Sequence, residues 1–396
     1  MIVRQFLQWV RIAPPSDRAD ATSALARAYL YSDLSPDDRA AAEGAMIMLL
    51  DDVSPLVRCA LAEALAGSDK APPAVIHSLA WDQPEVAAIV LARSPLLLDA
   101  DLVELTARGV PALQVAIARR PHVPCSVSAA IAEVGCAESC LALAKNHAAE
   151  MVQFSMDRIA ARFGHLAAVR NAMLDRPDLP LPTRQALVAK LSLTLAEFVA
   201  TKVWLPEERA RSIAKEACEM ATVTIAATSS QNELRELVRH LRNSGQLTAG
   251  LLLRALLCGN IALFEEALVE LSELSPARVA AILHDRYGNG FRALYDRAGL
   301  PAAAYPAFRE AVQAMHEDGF VTEEKHATRL KRRIVERVLT RCESGVLGEI
   351  EPLLTLLRRF AAEAAREEAR SFCQALLAEC GRPATNAPLA AERFAA

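Results

Sequence analysis

Glycine is scarce, with 15 residues in a chain of 396, too few for glycine-rich phosphate loops or a collagen-like repeat. Aromatic residues make up only 5%. There is no excess of positive charge. The 44 lysines and arginines stand against 48 acids, a net charge of −4, whereas a general nucleic-acid binder usually carries a strong basic excess. Alternating runs of the strand type are nearly missing, and no run of about 18 apolar residues occurs, so no membrane-spanning helix is expected. The opening MIVRQFLQWVRIAPPSDR is interrupted by Arg4, Gln5 and Gln8, and so lacks the continuous apolar core of a signal peptide. The cysteines are nine, an odd number without a regular framework, and read as reduced thiols. These features together predict a soluble cytoplasmic protein. What is abundant is apolar, at 53%, and alanine and leucine dominate, both good helix formers. Disorder, a disulfide-rich miniprotein and a β-rich fold are thereby disfavoured. The length suits two or three domains or one extended repeat array.

Helix starts recur. Ser35-Pro36 with Asp37 and Asp38, Ser54-Pro55, Ser275-Pro276 and Leu205-Pro206-Glu207-Glu208 each place a proline at or just before the first helical turn. Between them, apolar residues fall three and four apart, as in amphipathic helices. The first half also repeats itself. DVSPLVRCALAEAL (52–65), DQPEVAAIVLARSP (82–95), RGVPALQVAIARRP (108–121) and GCAESCLALAKNH (135–147) share an aliphatic-Ala-polar step. It stands at Leu61-Ala62-Glu63, Leu91-Ala92-Arg93, Ile117-Ala118-Arg119 and Leu143-Ala144-Lys145. Offsets of 30, 26 and 26 residues suit two short helices per unit. One such pair cannot bury its apolar face alone, so neighbouring pairs must stack. An irregular bundle with coincidental spacing is the alternative.

The expected organisation is an all-α fold: a HEAT-like α-solenoid of stacked helix pairs over 1–176, continuing into a C-terminal helical bundle. The proline-rich segment 175–182 is expected to end the array. A second helical region then covers 183–320, long helices cover 321–380, and 381–396 reads as a disordered tail.

Several of these segments carry a family likeness. VRCALAEAL (57–65), VLARSPLLLDADLVEL (90–105), AIARRPHVP (116–124), LAKNHAAEM (143–151) and the step Asp296-Arg-Ala-Gly-Leu300 resemble the bacterial helical-repeat family called domain of unknown function 2336. The likeness runs over about 15–320 and is weakest between about 180 and 240. It implies a HEAT-like helical fold and no particular chemistry. The Ser94-Pro95 turn with Asp99 and Asp101 needs no functional explanation, because Pro95 stops one helix and an acid caps the next.

Candidate chemistry is sparse. His122 and Cys125 form an H-x-x-C pair, Cys136 and Cys140 lie one helical turn apart, and His147 follows. Thiolates and imidazoles are zinc ligands, but the pair sits inside a repeat helix, where cysteine is a common small filler, so no metal is assigned. His240, in ELVRHLRNSGQL, faintly resembles a phosphoacceptor helix; an ordinary helix histidine is the alternative. Lys325, Arg329, Lys331, Arg332, Arg333, Arg337 and Arg341 crowd one predicted helix. They read as a cationic docking face or as a solvated face balanced by Glu363, Glu367 and Glu368. Arg93, Arg119 and Lys145, with Arg120 beside them, fall at equivalent repeat positions near helix ends. They read as partner contacts or as simple complements to the helix dipole. Walker, dinucleotide-binding, zincin and nucleophile-elbow patterns are missing, and no cofactor is called for. The function this favours is a non-enzymatic scaffold or adaptor that binds a protein partner on an extended surface. A helical-repeat nucleic-acid or base-excision-type protein and a phosphotransfer regulator using His240 are the rivals.

Overall fold

The computed structural model describes residues 9, 10, 12–285, 290–318, 335, 336, 338–340 and 351–380. Among these residues the protein is all-helical, and the one β feature is an isolated parallel bridge between Val123 and Ala149. No described helix is long and apolar enough to cross a membrane. The chain divides into two compact units, Met1–Ala210 and Arg211–Ala396.

The first unit is built from short helices in two rows. One row holds α1 (Pro15–Tyr31), α3 (Pro55–Leu65), α5 (Pro84–Arg93), α7 (Pro111–Ala118), α9 (Ala137–Lys145) and α11 (Ala167–Leu174). The alternate helices are α2 (Pro36–Leu49), α4 (Pro73–Ala80), α6 (Asp99–Ala107), α8 (Cys125–Val134), α10 (Gln153–Phe163) and α12 (Leu181–Thr201). Proline opens many of them because its missing N–H has no helical partner in the first turn anyway. Ser35 adds a true cap, its hydroxyl accepting from the Asp38 N–H at 3.2 Å, whereas Ser54 makes no such bond. Asp101 accepts from the Leu98 N–H at 3.1 Å and fixes the start of α6 after the Pro95 turn.

Each odd helix packs on the odd helix before it, from α1 through α11, and α8, α10 and α12 pack likewise on α6, α8 and α10. The shared sequence step forms the seam of the odd row. Leu61, Ala62, Leu91, Ile117, Ala118, Leu143 and Ala144 are fully buried in one continuous apolar cluster, and Ala92 lies half-buried against it. Each such leucine or isoleucine contributes about 1.5–3 kcal/mol. Alanine at the second position lets adjacent helices approach closely. The proline-rich stretch 175–182 lies inside this unit, where Pro180 precedes α12 and Pro182 sits in its first turn.

In the second unit, α14 (Gln231–Asn243) packs on α16 (Ile261–Ser272), as do α15 (Ala249–Leu257), α17 (Pro276–Leu283) and α18 (Phe291–Arg297). The helix α19 (Tyr305–Asp318) packs on α15 and α18. The helices α13 (Glu207–Ala227) and α20 (Glu351–Cys380) complete the described elements. The core gathers Phe264, Phe291, Tyr295 and Phe308, with Tyr305 stacked on Phe291 at 5.9 Å. All seven residues from Leu251 to Leu257 in α15 are buried.

Candidate functional site

Polar side chains reach back across the helix rows at intervals near the repeat length. Beyond the end of α7, Arg120 donates to the Leu91 and Ser94 carbonyls at 2.6 and 2.7 Å, which are the orphan acceptors ending α5. Asn146 at the end of α9 donates to the Ala118 and Arg120 carbonyls at 3.1 and 2.7 Å. Past α11, Arg176 donates to the Asn146 and Ala149 carbonyls at 2.9 and 3.3 Å. The alternate helices use the same device: Arg162 grips the Ala132 and Gly135 carbonyls at 2.7 and 2.8 Å, and Lys190 grips those of Ala160 and Ala161. These clamps bring the carboxyl ends of successive helices side by side. Closer to the amino terminus the role passes to Arg–Asp pairs. Arg18 pairs with Asp52 at 2.7 Å, and Arg58 pairs with Asp82 at 2.6 Å while donating to the Asp52 carbonyl. Burial is the strongest single influence on Asp52 and pushes its pKa up, but Arg18, the Ser54 N–H and Arg58 together bring it below the usual carboxylate range.

The clamps decide the standing of the repeat cations. Arg120 is half-buried and spent on backbone carbonyls, and burial pushes its pKa down against the pull of Asp99. Arg93, Arg119 and Lys145 are exposed, at the ends of α5, α7 and α9, and form no salt bridge among the described residues. Arg120 and Asn146 link the ends of α5, α7 and α9, the helix ends at which these three cations stand. The other exposed or half-buried side chains of these helices are mostly apolar, among them Ala88, Ile89, Ala92, Ala112, Val115, Leu141 and Ala142, but include the exposed acids Glu85 and Glu138.

The five possible metal ligands do not form a site. Among the described residues no group of three or more His, Cys, Asp or Glu is placed to hold a metal ion. Cys136 caps α9, accepting from the Ser139 N–H at 3.4 Å, and Cys140 is buried with its thiol toward the Ile131 carbonyl at 3.5 Å. His147 is exposed on the loop after α9. His122 and Cys125 both approach Glu150, at 3.9 and 3.6 Å, on the two segments that the Val123–Ala149 bridge ties together.

The thiols differ in environment, and this gives a direct test. Burial pushes Cys140 up to about 11. Desolvation and then the Glu150 carboxylate push Cys125 up as well, but Cys125 is open to solvent. The thiolate is the reactive form. Iodoacetamide at pH 8, read by peptide mass spectrometry, is therefore expected to label Cys125 and to spare Cys140 until the unit unfolds. Glu150→Gln should speed Cys125 labelling several-fold. Labelling of Cys140 in the native protein would contradict the packing of α9 on α7.

His240 lies half-buried in the last turn of α14, next to the buried Leu237 and Leu241. Of the basic stripe, Arg329, Arg332, Arg333, Arg337 and Arg341, with Lys325 and Lys331, lie outside the described residues. The second unit holds one buried charge cluster that sequence reading did not anticipate. Arg254, 3% exposed, donates to Glu363 at 2.5 Å and lies under the Phe360 ring at 4.3 Å. Glu219 stands 3.9 Å from its Nε, and burial raises the Glu219 pKa against the attraction of Arg254. This cluster fastens α13 and α20 to α15. A small apolar cleft lies among α15, α16, α17 and α19, lined by Leu256, Phe264, Leu283, Met315 and His316 among others. It has room for about one water molecule, far less than a ligand pocket needs.

The arrangement defines a class: an all-helical protein whose first unit packs successive helices against one another. The chain belongs to the family described as an uncharacterised protein conserved in bacteria (DUF2336), whose model matches residues 86–348. That match starts later than the resembling segments and runs further towards the carboxyl end. No curated protein and no solved structure matches the chain.

Proposed function

We propose that this protein is a non-enzymatic, protein-binding adaptor. In this reading the paired helices of the first unit form a HEAT-like α-solenoid, which continues into a C-terminal helical bundle. The observation that carries it is that Arg93, Arg119 and Lys145 stand exposed at the ends of three successively packed helices. A lysine or arginine that only complements its own helix dipole contributes about 0.3–1 kcal/mol and has no need of register with its neighbours. Here the three charges are exposed at the ends of successive packed helices, which supports the reading. Exposed cations attract an acidic protein surface and steer its approach.

The test is comparative crosslinking in the native bacterial host. The wild-type chain and the triple variant Arg93→Glu, Arg119→Glu, Lys145→Glu are expressed at equal levels, and captured proteins are quantified by mass spectrometry. One or more partners are expected to fall at least about tenfold in the variant, since three exposed pairs are each worth up to about 1 kcal/mol and reversal adds repulsion. Each reversal also gives up the cation's complement to its helix end, so the melting temperature should fall by several degrees while the variant stays folded at the assay temperature. Identical capture by both chains refutes the reading.

A further inference from the structure

We infer that the last three turns of α12 are a docking surface for a second copy of this chain, the two α12 helices packing in parallel about a two-fold axis. The buried residues of α12 are Pro182, Thr183, Gln185 and Leu187 near its start, with Ala196 further on. From Leu191 onward a row of side chains faces the other way. Leu191, Thr194, Phe198 and Thr201 follow at spacings of three, four and three, the seam of a coiled coil. At about 100° of turn per residue this seam lies opposite Ala196, so packing within the unit leaves it open. Leu191 is half-buried and the other three are exposed. The Thr194 and Thr201 hydroxyls donate to the Lys190 and Glu197 carbonyls one turn back, at 2.9 and 2.8 Å, so neither asks a partner for a hydrogen bond.

A strained turn after α12 enlarges this surface. Val203 takes φ +58°, a left-handed conformation that is unfavourable for a β-branched residue. The turn brings the Trp204 N–H to the Val199 carbonyl at 3.2 Å and sets the indole at right angles to Phe198, with ring centroids 5.8 Å apart. Yet Trp204 is 67% exposed and Phe198 50%. Backbone strain that holds two aromatic rings in water marks a place where they are to be covered. With Leu193, Leu195 and Val203 these rings present on the order of 500 Å² of apolar surface per copy. A pair would cover about 1,000 Å², the scale at which a specific interface begins.

Charge selects the occupant. Glu197 and Lys202 flank the seam on opposite sides, five residues apart, and neither forms a salt bridge among the described residues. In a parallel pair that is the interval at which one flank of a helix meets the opposite flank of its neighbour. The two-fold repeats the contact, so each copy's Glu197 meets the other's Lys202. A lipid surface, which is commonly anionic, is the poorer match, because Lys202 is the one cation from 191 to 208, against Glu197, Glu207 and Glu208.

Sedimentation velocity on the full chain, with a reductant present, is expected to show a monomer–dimer equilibrium that shifts with concentration. Lys202→Glu should weaken dimerisation at least about tenfold, since one substitution turns two symmetric pairs from attraction to repulsion. Glu197→Lys should do the same, and the double variant Glu197→Lys, Lys202→Glu should recover most of the wild-type constant. Phe198→Ser with Trp204→Ser should leave a monomer. All four positions are exposed, so circular dichroism should match the wild type throughout. A wild-type chain that stays monomeric up to about 0.1 mM overturns the inference. So does a dimer that either single reversal leaves intact, or that the double variant fails to restore. If a monomeric wild-type chain floats with phosphatidylcholine–phosphatidylglycerol vesicles and the double serine variant does not, the surface belongs to lipid and the inference is overturned. None of these variants touches Arg93, Arg119 or Lys145, so the adaptor reading is tested separately.

Discussion

Replacing Arg176 by methionine is expected to destabilise the first unit by about 3 kcal/mol. Only 1% of the side chain is exposed, yet it carries a charge and every nitrogen is used. Nε and Nη2 bind the Asp178 carboxylate at 2.9 and 2.7 Å, while Nη1 and Nη2 reach carbonyls left over at the end of α9. Methionine fills a similar volume but donates nothing, so the buried carbonyls lose their partners at about 1–3 kcal/mol for each that water cannot reach. Asp178 is half exposed and rehydrates, which keeps the total below the cost of stranding a buried ion. In a unit of this size the loss corresponds to a melting temperature lower by about 10 °C. Hydrogen exchange should accelerate first in α9 and α11. Arg176→Lys should recover little, since one ammonium cannot serve a carboxylate and two separated carbonyls. Lys145→Met, at an exposed position of the same row, should change stability by no more than about 1 kcal/mol. A pH series adds an independent check. The Arg176 hydrogen bonds hold the Asp178 carboxyl below its ordinary range, with burial opposing them. That contribution is complete above the ordinary carboxylate pKa and is lost as pH falls through the lower native value. The acid limb of the stability curve should therefore be shallower in Arg176→Met than in the wild type.

The seam and the clamps show what a sequence can and cannot disclose. Local rules announce the helices: proline at the first turn and apolar spacing of three and four. The starts read at Ser35-Pro36, Ser54-Pro55 and Ser275-Pro276 emerge as Pro36–Leu49, Pro55–Leu65 and Pro276–Leu283. The residue pattern also locates the seam, because Leu61, Leu91, Ile117 and Leu143 must all face the same kind of neighbour. Arg119 and Arg120 look interchangeable in sequence, and the structure separates them. One residue of helical rotation points Arg119 to solvent and turns Arg120 onto the preceding helix end, a distinction that depends on a contact 29 residues back. Cys136 and Cys140 present the same difficulty. Their spacing is right for a shared metal, but the first lies outside α9 as its cap and the second points into the core. Arg254, Glu219 and Glu363 are too far apart in the chain for any local rule to pair them.

The second unit makes its largest predicted response through a ring rather than a charge. Phe308→Ala is expected to cost about 3–5 kcal/mol, the range for emptying a buried phenylalanine site. Phe308 is fully buried, stacks on Phe264 at 5.7 Å and meets Tyr295 at 5.3 Å. Deleting the ring would leave a cavity among buried neighbours, and the cost grows with the part of it that they do not fill. Tyr295→Phe is the informative partner experiment. The hydroxyl donates to the Pro301 carbonyl at 2.8 Å, and burial pushes its pKa up to about 12. Its loss removes one hydrogen bond, worth about 1 kcal/mol, and keeps the ring contacts. Tyr295 should therefore stay neutral in a spectroscopic titration until the unit begins to unfold in alkali. If Phe308→Ala melted within a degree of the wild type while Tyr295→Phe did the greater harm, the aromatic cluster would not be the core that holds α16, α18 and α19 together. The polar link to Pro301 would have to carry that role instead.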